Sequence, residues 1–326
     1  MRLTTILAAL CLAVPGASTA RADEACRAPV EIADRADASG GRTQDYKFVF
    51  KACRNAVGAT RLAIRSFRVD GRALLLTVDS QTLKTTIEDA ACWTCADTTD
   101  EAQKDTRLAR AVREAGAGSF STGAISRNAG LAHGQGAGAF VTADLCPSHL
   151  PLDRAFLETL ARQGPHTPVA LAISGGWLAH HGADFDWLRD KQRTGALDIT
   201  WVDHTYSHPY VPGLAEPQNY MLRPGADLLR EIEETERLLI ARGATPSVFF
   251  RFPGLVADHA LLDQLRARHL IALGADAWLV LSPPPRPGSI VLVHANGNEE
   301  AGLRLFSRLL AAGRLPQPFR RIEEAP

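Results

Sequence analysis

The feature that most constrains the fold is an alternation of short apolar runs with amphipathic segments throughout the C-terminal half of the chain. Runs at 169–174, 198–202 and 289–293 have the length and composition of buried strands. Segments 153–163 and 226–242 repeat their apolar residues at helical spacing. Strands that alternate with helices in this way form a parallel sheet or barrel with helices outside it. The sequence therefore predicts an α/β domain.

The rest of the chain divides by composition. Residues 1–22 combine a positive start, an apolar run too short to span a bilayer comfortably, and a small-x-small cleavage pattern. We interpret them as a secretory signal peptide rather than a buried N-terminal helix. Residues 23–113 form a small module with a hairpin, and Gly/Ala-rich residues 114–138 form a linker to the α/β domain at 139–326. We expect no integral membrane segment in the mature chain.

Four cysteines, Cys26, Cys53, Cys92 and Cys95, lie in the N-terminal module. An exported protein can form disulfides, and four cysteines permit three pairings. We favour Cys26–Cys53 with Cys92–Cys95. The C-x-x-C spacing of the second pair also fits a thioredoxin-like redox pair or half of a zinc site, but neither a second C-x-x-C nor a βαβ pattern accompanies it. A structural disulfide is therefore the preferred interpretation.

The net charge of the chain argues against nucleic acid and anionic lipid as partners. Lys and Arg number 36 and Asp and Glu also 36, so the formal net charge is zero. A chain without a global basic field has no long-range attraction for nucleic acid or anionic lipid. We therefore expect no nucleic-acid partner.

Ionisable side chains stand at the ends of successive predicted strands: Asp144, His204, Arg251, Asp276 and His294. The carboxyl ends of parallel strands meet at one edge of a sheet, where ligands bind in such folds. Taken alone, each residue has a structural explanation, such as a helix N-cap, a surface ion pair or a hydrogen-bonded histidine. Together they predict an active-site rim.

Two of the histidines, His204 and His208, are four residues apart in the stretch DHTYSHPY. On a helical turn, side chains at this spacing lie on one face. Two imidazoles there can converge on one cation, and imidazole suits zinc, cobalt, nickel or iron. A pair of surface or hydrogen-bonded histidines is the alternative.

The order and spacing of these residues resemble the polysaccharide deacetylase superfamily, the NodB-like carbohydrate esterases. The resemblance covers roughly residues 139 to 322. It is carried by five short motifs: TADLC at 142–146, HTYSHP at 204–209, RFP at 251–253, DAW at 276–278 and LVH at 292–294. The resemblance implies an irregular (β/α) barrel, usually of seven strands.

The resemblance also implies a mechanism. His204 and His208 would hold a divalent metal that polarises an acetamide carbonyl. Asp144 would act as general base, with Arg251 orienting its carboxylate. His294 would protonate the leaving amine as general acid.

One motif departs from the pattern of the superfamily. Its first motif has a base aspartate followed by a metal-binding aspartate, and Leu145 stands at the second position here. Asp144 is therefore either the base or a metal ligand. Cys146 is two residues on and offers a thiolate, although a buried inert thiol is the preferred interpretation. Asp276, in the loosest motif, would tune His294 or Arg251.

The resemblance therefore predicts a metal-dependent hydrolase that removes N-acetyl, or alternatively O-acetyl, groups from an acetylated polysaccharide or oligosaccharide. The expected metal is Zn²⁺, with Co²⁺ or Ni²⁺ as alternatives, and the expected location is periplasmic or secreted. One alternative is a catalytically degenerate deacetylase-fold protein that only binds carbohydrate. Another is a thiol–disulfide protein that works through Cys92 and Cys95.

Overall fold

The computed structural model describes residues 26, 28–35, 39–117 and 124–326, and the predicted signal peptide lies outside these ranges. The N-terminal part is a five-stranded antiparallel sheet in the order β4-β3-β2-β1-β5, followed by helix α1. Its elements are β1 Thr43–Asn55, β2 Thr60–Val69, β3 Arg72–Val78, β4 Thr85–Asp89, β5 Trp93–Asp97 and α1 Arg107–Gly116. The predicted hairpin is confirmed: Asp70 and Gly71 join β2 to β3, and both have the positive φ that a type I′ turn requires.

The disulfides differ from the predicted pairing, which was wrong. Cys26 bonds to Cys92, and Cys53 bonds to Cys95. Cys53 and Cys95 face each other across the antiparallel pair β1–β5, with Cα atoms 4.1 Å apart. Three residues of extended chain span about 10 Å, which is beyond the reach of a disulfide, so Cys92 and Cys95 cannot pair along β5. Because both sulfurs are bonded to other partners, the preferred Cys92–Cys95 disulfide does not form, and the alternative redox role for this pair loses its disulfide.

The C-terminal part contains a seven-stranded parallel sheet in the order β12-β10-β9-β8-β7-β14-β13. Its strands are β7 Phe140–Leu145, β8 Thr167–Ile173, β9 Leu197–Asp203, β10 Pro246–Phe250, β12 Ile271–Ala272, β13 Ala277–Trp278 and β14 Ile290–His294. Strands β6 Ile125–Arg127 and β11 Val256–Asp258 form a separate antiparallel pair. The α/β class predicted from the alternation, a parallel sheet with helices behind a disulfide-containing module, is confirmed, and the seven strands agree with the number that the resemblance implies.

Helices follow most of the parallel strands. They are α2 Arg154–Ala161, α3 Gly175–His180, α4 Gly182–Arg193, α5 Leu228–Ala241, α6 His259–Arg266 and α7 Glu300–Ala311. Alternate residues of β7 face opposite ways: Val141, Ala143 and Leu145 join the apolar cluster that includes Phe156 of α2 and Phe306 of α7. None of the helices among the described residues combines the length and apolar character needed to cross a bilayer.

Part of the predicted linker lies beside the barrel sheet. The backbone N–H of Leu131 donates to Ala272 at 2.8 Å, and that of Gly134 donates to Gly288 at 2.8 Å. The segment thus lies between the end of β12 and the start of β14. Gly130 allows this approach, because a Cβ at its position would lie 2.3 Å from the carbonyl oxygen of Ala272. The boundary between linker and barrel domain stays a prediction.

A buried ion pair joins the N-terminal sheet to the barrel. Arg65 of β2 donates to both carboxylate oxygens of Glu236 on α5, at 2.7 and 3.0 Å, and both side chains are fully buried. Tyr46 of β1 donates to the same carboxylate. One apolar cluster contains residues of both parts, including Ile64 and Phe249. The two parts therefore share a core.

Candidate active site

Four of the predicted site residues meet at the carboxyl ends of neighbouring strands. Asp144 lies in β7, His294 ends β14, and the two are register partners. His204 directly follows β9, and Arg251 directly follows β10. Because β10, β9, β8, β7 and β14 are neighbours in one parallel sheet, their ends meet at one edge. The sheet brings these side chains together although up to 150 residues of sequence separate them.

Asp144 and Arg251 form a buried ion pair. Arg251 Nη1 donates to Asp144 Oδ1 at 2.6 Å and to Thr142 Oγ1 at 2.9 Å. The guanidinium also donates to the carbonyls of Leu273 and Gly274. Burial by itself raises the pKa of Asp144, but the charges of Arg251 and the nearby histidines outweigh it, and the net pKa is lowered. Asp144 is therefore held as a carboxylate with one oxygen already engaged.

His204 is oriented by the backbone. Its Nδ1 lies 2.8 Å from the carbonyl oxygen of Arg251, so Nδ1 carries the proton and donates to it. Its Nε2 then faces the site, 3.5 Å from Asp144 Oδ2 and 3.5 Å from Cys146 Sγ. Burial lowers the pKa of His204, but Asp144 and Cys146 raise it more. Nε2 thus faces a region of negative potential, which favours a positive charge, a proton or a metal ion, at that nitrogen.

His208 reaches the same region by a different route from the one predicted. The stretch after β9 is not helical, and both Thr205 and His208 have positive φ. The helical-turn explanation for the pair was therefore wrong. The two imidazoles nevertheless converge, with ring centroids 4.7 Å apart at 68°. The backbone N–H of His208 donates to Thr205 Oγ1, and that of Ser207 donates to Glu231, which fixes the loop.

Cys146, expected to be inert, faces the imidazoles. Leu145 is fully buried among the apolar side chains under the outer helices, so the next residue turns back to the inner face. Cys146, His204 and His208 each place a ligand atom within 4.8 Å of the others, and so do Cys146, Asp144 and His294. Burial raises the pKa of Cys146, but His208 and His204 lower it more, and the net pKa lies well below its ordinary value.

His294 is held by a residue that the sequence did not single out for the site. Glu299 Oε2 lies 3.2 Å from His294 Nδ1, and Trp278 Nε1 donates to Glu299 at 3.1 Å. Burial lowers the pKa of His294, but the contacts with Cys146 and Glu299 raise it to about 11. His294 is therefore a cation in this arrangement. Glu299 follows His294 by five residues and could have been found only by treating the loop after β14 as part of the rim.

Asp276 occupies a different position from the one predicted. Its carboxylate accepts from Ser289 Oγ at 3.2 Å and from the backbone N–H of Ile290 at 3.0 Å, and it lies 2.7 Å from His133 Nδ1. Its described hydrogen bonds do not include His294 or Arg251. Asp276 thus anchors the start of β14, and Glu299 makes the contact with His294 that we expected of Asp276.

No family model matches this chain. Solved structures similar to it are family 4 carbohydrate esterases, the class that its motifs resemble. One from Bacillus anthracis is 19% identical over 61% of this chain and 87% of its own, with a TM-score of 0.44. PdaA from Bacillus subtilis is 16% identical over 61% of this chain and 85% of its own, with a TM-score of 0.42. BA3943, a pseudoenzyme of the same class from Bacillus anthracis, is 14% identical over 59% and 66%, with a TM-score of 0.40.

Proposed function

We propose that this protein is an exported, metal-dependent carbohydrate deacetylase that hydrolyses the carbon–nitrogen bond of N-acetyl groups. The observation that carries the proposal is that a carboxylate suited to act as base and an imidazole suited to act as acid lie at the same edge of the sheet. Asp144 is a carboxylate with one oxygen on Arg251, and His294 is a cationic imidazole on Glu299. A base and an acid on neighbouring strand ends are what amide hydrolysis requires.

The roles follow from the contacts. Arg251 holds Asp144 Oδ1, which leaves Oδ2 to take a proton from the attacking water. The depressed pKa keeps Asp144 ionised at neutral pH. His294 carries a proton that it can give to the leaving nitrogen, and Glu299 sets the orientation of its ring. The base and the acid therefore start in the protonation states that their roles need.

The donor set fits a divalent metal. His204 and His208 converge with a thiol in a group of ligand atoms within 4.8 Å of one another, and imidazole suits Zn²⁺, Co²⁺ or Ni²⁺. Arg251 fixes the tautomer of His204 through its backbone carbonyl, which is how ligating histidines are commonly oriented. His204 and His208 would hold the metal, which would polarise the acetyl carbonyl as a Lewis acid.

The proposed substrate is an acetylated polysaccharide or oligosaccharide outside the cytoplasm. Two disulfides support export, because such bonds persist in oxidising compartments. Tyr210, in the loop after β9, is 53% exposed and stacks on Tyr220 with centroids 5.2 Å apart. An exposed aromatic face beside the site can pack against a sugar ring.

Acetate release tests the proposal. We expect the purified zinc-loaded protein to release acetate from oligomers of N-acetylglucosamine, and an O-acetylated xylan tests the ester alternative in parallel. Asp144→Asn is the matched control, because it keeps the shape of the side chain and removes the base. Binding of either glycan without acetate release would instead support the degenerate, carbohydrate-binding alternative, which the apolar Leu145 at the second motif position favours.

A further inference from the structure

We infer that Cys146 completes the metal site, so that this chain binds its metal through one thiolate and two imidazoles rather than through a carboxylate and two imidazoles. The inference deepens the proposed function and rests on it for the presence of a metal. It assigns a ligand to a position where the resemblance implies an aspartate and the sequence has Leu145.

Strand geometry accounts for the replacement. Successive side chains of β7 alternate between the two faces of the sheet, so Asp144 points to the inner face and Leu145 to the outer core. Cys146 directly follows β7, and its Sγ lies within 4.8 Å of ligand atoms of Asp144 and His294, on the side of the site. A carboxylate at position 145 in this register would be buried among apolar residues. The next residue on the site face is Cys146, and its side chain is 8% exposed.

The contacts of Cys146 point to a ligand. Its Sγ lies 3.5 Å from the Nε2 of His204, the ring nitrogen that does not contact the Arg251 carbonyl. The group of ligand atoms that contains both His204 and His208 contains Cys146 as its third member. Thiolate and imidazole together are a common donor set for zinc.

The backbone around Cys146 is fixed on both sides. Asn296 Nδ2 donates to the carbonyl of Cys146 at 2.7 Å, and Ser174 Oγ donates to the carbonyl of Leu145 at 3.0 Å. Asn296 and Ser174 are both fully buried. A backbone fixed in this way sets the direction in which the Cys146 side chain leaves the chain, and a metal site requires donors that are positioned before the metal binds.

If Cys146 is the third ligand, Asp144 is the base and not a metal ligand. Its Oδ1 is engaged by Arg251 at 2.6 Å, and the grouping that includes Asp144 pairs it with Cys146 and His294 instead of His208. With Cys146 as ligand, Asp144 stays free to act as base. A thiolate carries the same charge as the carboxylate that it replaces, but it is softer and favours zinc or cobalt over magnesium or manganese.

Cobalt(II) alone is the probe that tests the ligand directly. A thiolate bound to Co²⁺ gives a near-ultraviolet sulfur-to-metal charge-transfer band, which imidazole and carboxylate ligands do not give. The four cysteines paired in disulfides carry no thiolate, and Cys11 lies in the predicted signal peptide, so in the mature protein the band would report Cys146. We expect the band in the cobalt-loaded parent and in Asp144→Asn. Cys146→Asp should bind cobalt without the band.

Cys146→Ser should lose the band and bind zinc more weakly, by more than the roughly 10–100-fold that loss of a residue supporting a ligand costs. Cobalt bound to the parent without the band, or equal zinc affinity in Cys146→Ser and the parent, would overturn the inference while leaving deacetylation open. The band without acetate release would overturn the proposed function and keep the ligand assignment. If Cys146→Ser does not fold, the parent and Cys146→Asp spectra decide.

Discussion

Among the described residues, the Arg65–Glu236 and Arg251–Asp144 ion pairs are both buried, but their carboxylates are engaged differently. At the junction of the N-terminal sheet and the barrel, Arg65 engages both oxygens of Glu236, and Tyr46 donates to the same carboxylate. At the sheet edge, Arg251 engages only one oxygen of Asp144, and the other lies 3.5 Å from His204. Both oxygens of the first carboxylate are engaged by Arg65, whereas Arg251 leaves one oxygen of the second free, the oxygen to which we assign the role of base.

Two partly buried histidines show a similar contrast in their pKa values. His269 at the junction stacks on Phe50 with ring centroids 3.6 Å apart, and burial, with Arg65 and Arg268 nearby, lowers its pKa to about 4. His294 at the sheet edge has a raised pKa of about 11, because contacts with Cys146 and Glu299 outweigh burial. Burial lowers the pKa of both imidazoles, and their charged neighbours decide whether the net pKa lies below or above its ordinary value.

The largest effect is expected at the sheet edge. Asp144→Asn should lower kcat/KM for acetate release by about 10²–10⁴-fold, the range over which general-base catalysis contributes. Turnover with N-acetylglucosamine oligomers measures the loss, and circular dichroism checks that the variant is folded. Activity within threefold of the parent would remove Asp144 from the mechanism.

The junction pair should matter for stability instead. Glu236→Gln leaves the Arg65 guanidinium buried and uncompensated, which we expect to cost about 3–5 kcal/mol of unfolding free energy. Urea unfolding measures the change. Because Glu236 lies at the junction and not at the sheet edge, we expect the folded variant to keep the parental kcat. A lower kcat in fully folded Glu236→Gln would contradict the assignment of this pair to stability alone.

A pH effect of at most about 3 kcal/mol is expected from His269. Its folded pKa of about 4 lies below the unfolded value of 6.5, so the unfolded chain takes up a proton first as the pH falls. The contribution of neutral His269 to the free energy of unfolding is therefore fully present above pH 6.5 and is lost as the pH falls from 6.5 toward 4. His269→Asn tolerates the positive φ of this position and should flatten that part of the stability–pH curve; an unchanged curve would count against the assignment.

The smallest effect tests Glu299. Glu299→Gln keeps a hydrogen-bond acceptor for His294 but removes the charge, so we expect kcat to fall by about tenfold with the metal content unchanged. Acetate release across pH gives the diagnostic readout, since loss of the carboxylate should lower the pKa of His294, the general acid, and move the alkaline limb of the profile to lower pH. Asp276→Asn is the comparison variant, because Asp276 contacts the start of β14 rather than His294. Equal effects in the two variants would contradict the role of Glu299.

The sequence was sufficient for the fold class and for which strand ends carry the site, because apolar periodicity and strand order are local patterns. It was not sufficient for contacts that depend on register. Whether Cys53 meets Cys95 follows from which residues oppose each other across strands, and whether Cys146 faces His204 and His208 follows from how strand ends are placed in the sheet. Glu299 reaches His294 through a loop whose conformation leaves no periodic signal.

The most direct test is the metal content of the purified protein beside its Asp144→Ala and His204→Ala variants. The account predicts about one zinc ion per chain in the parent and in Asp144→Ala, and loss of zinc in His204→Ala, since His204 is a ligand and Asp144 is the base. Zinc lost from both variants would make Asp144 a ligand and leave the site without its base. A parent that binds no zinc even when it is offered would contradict the mechanism altogether.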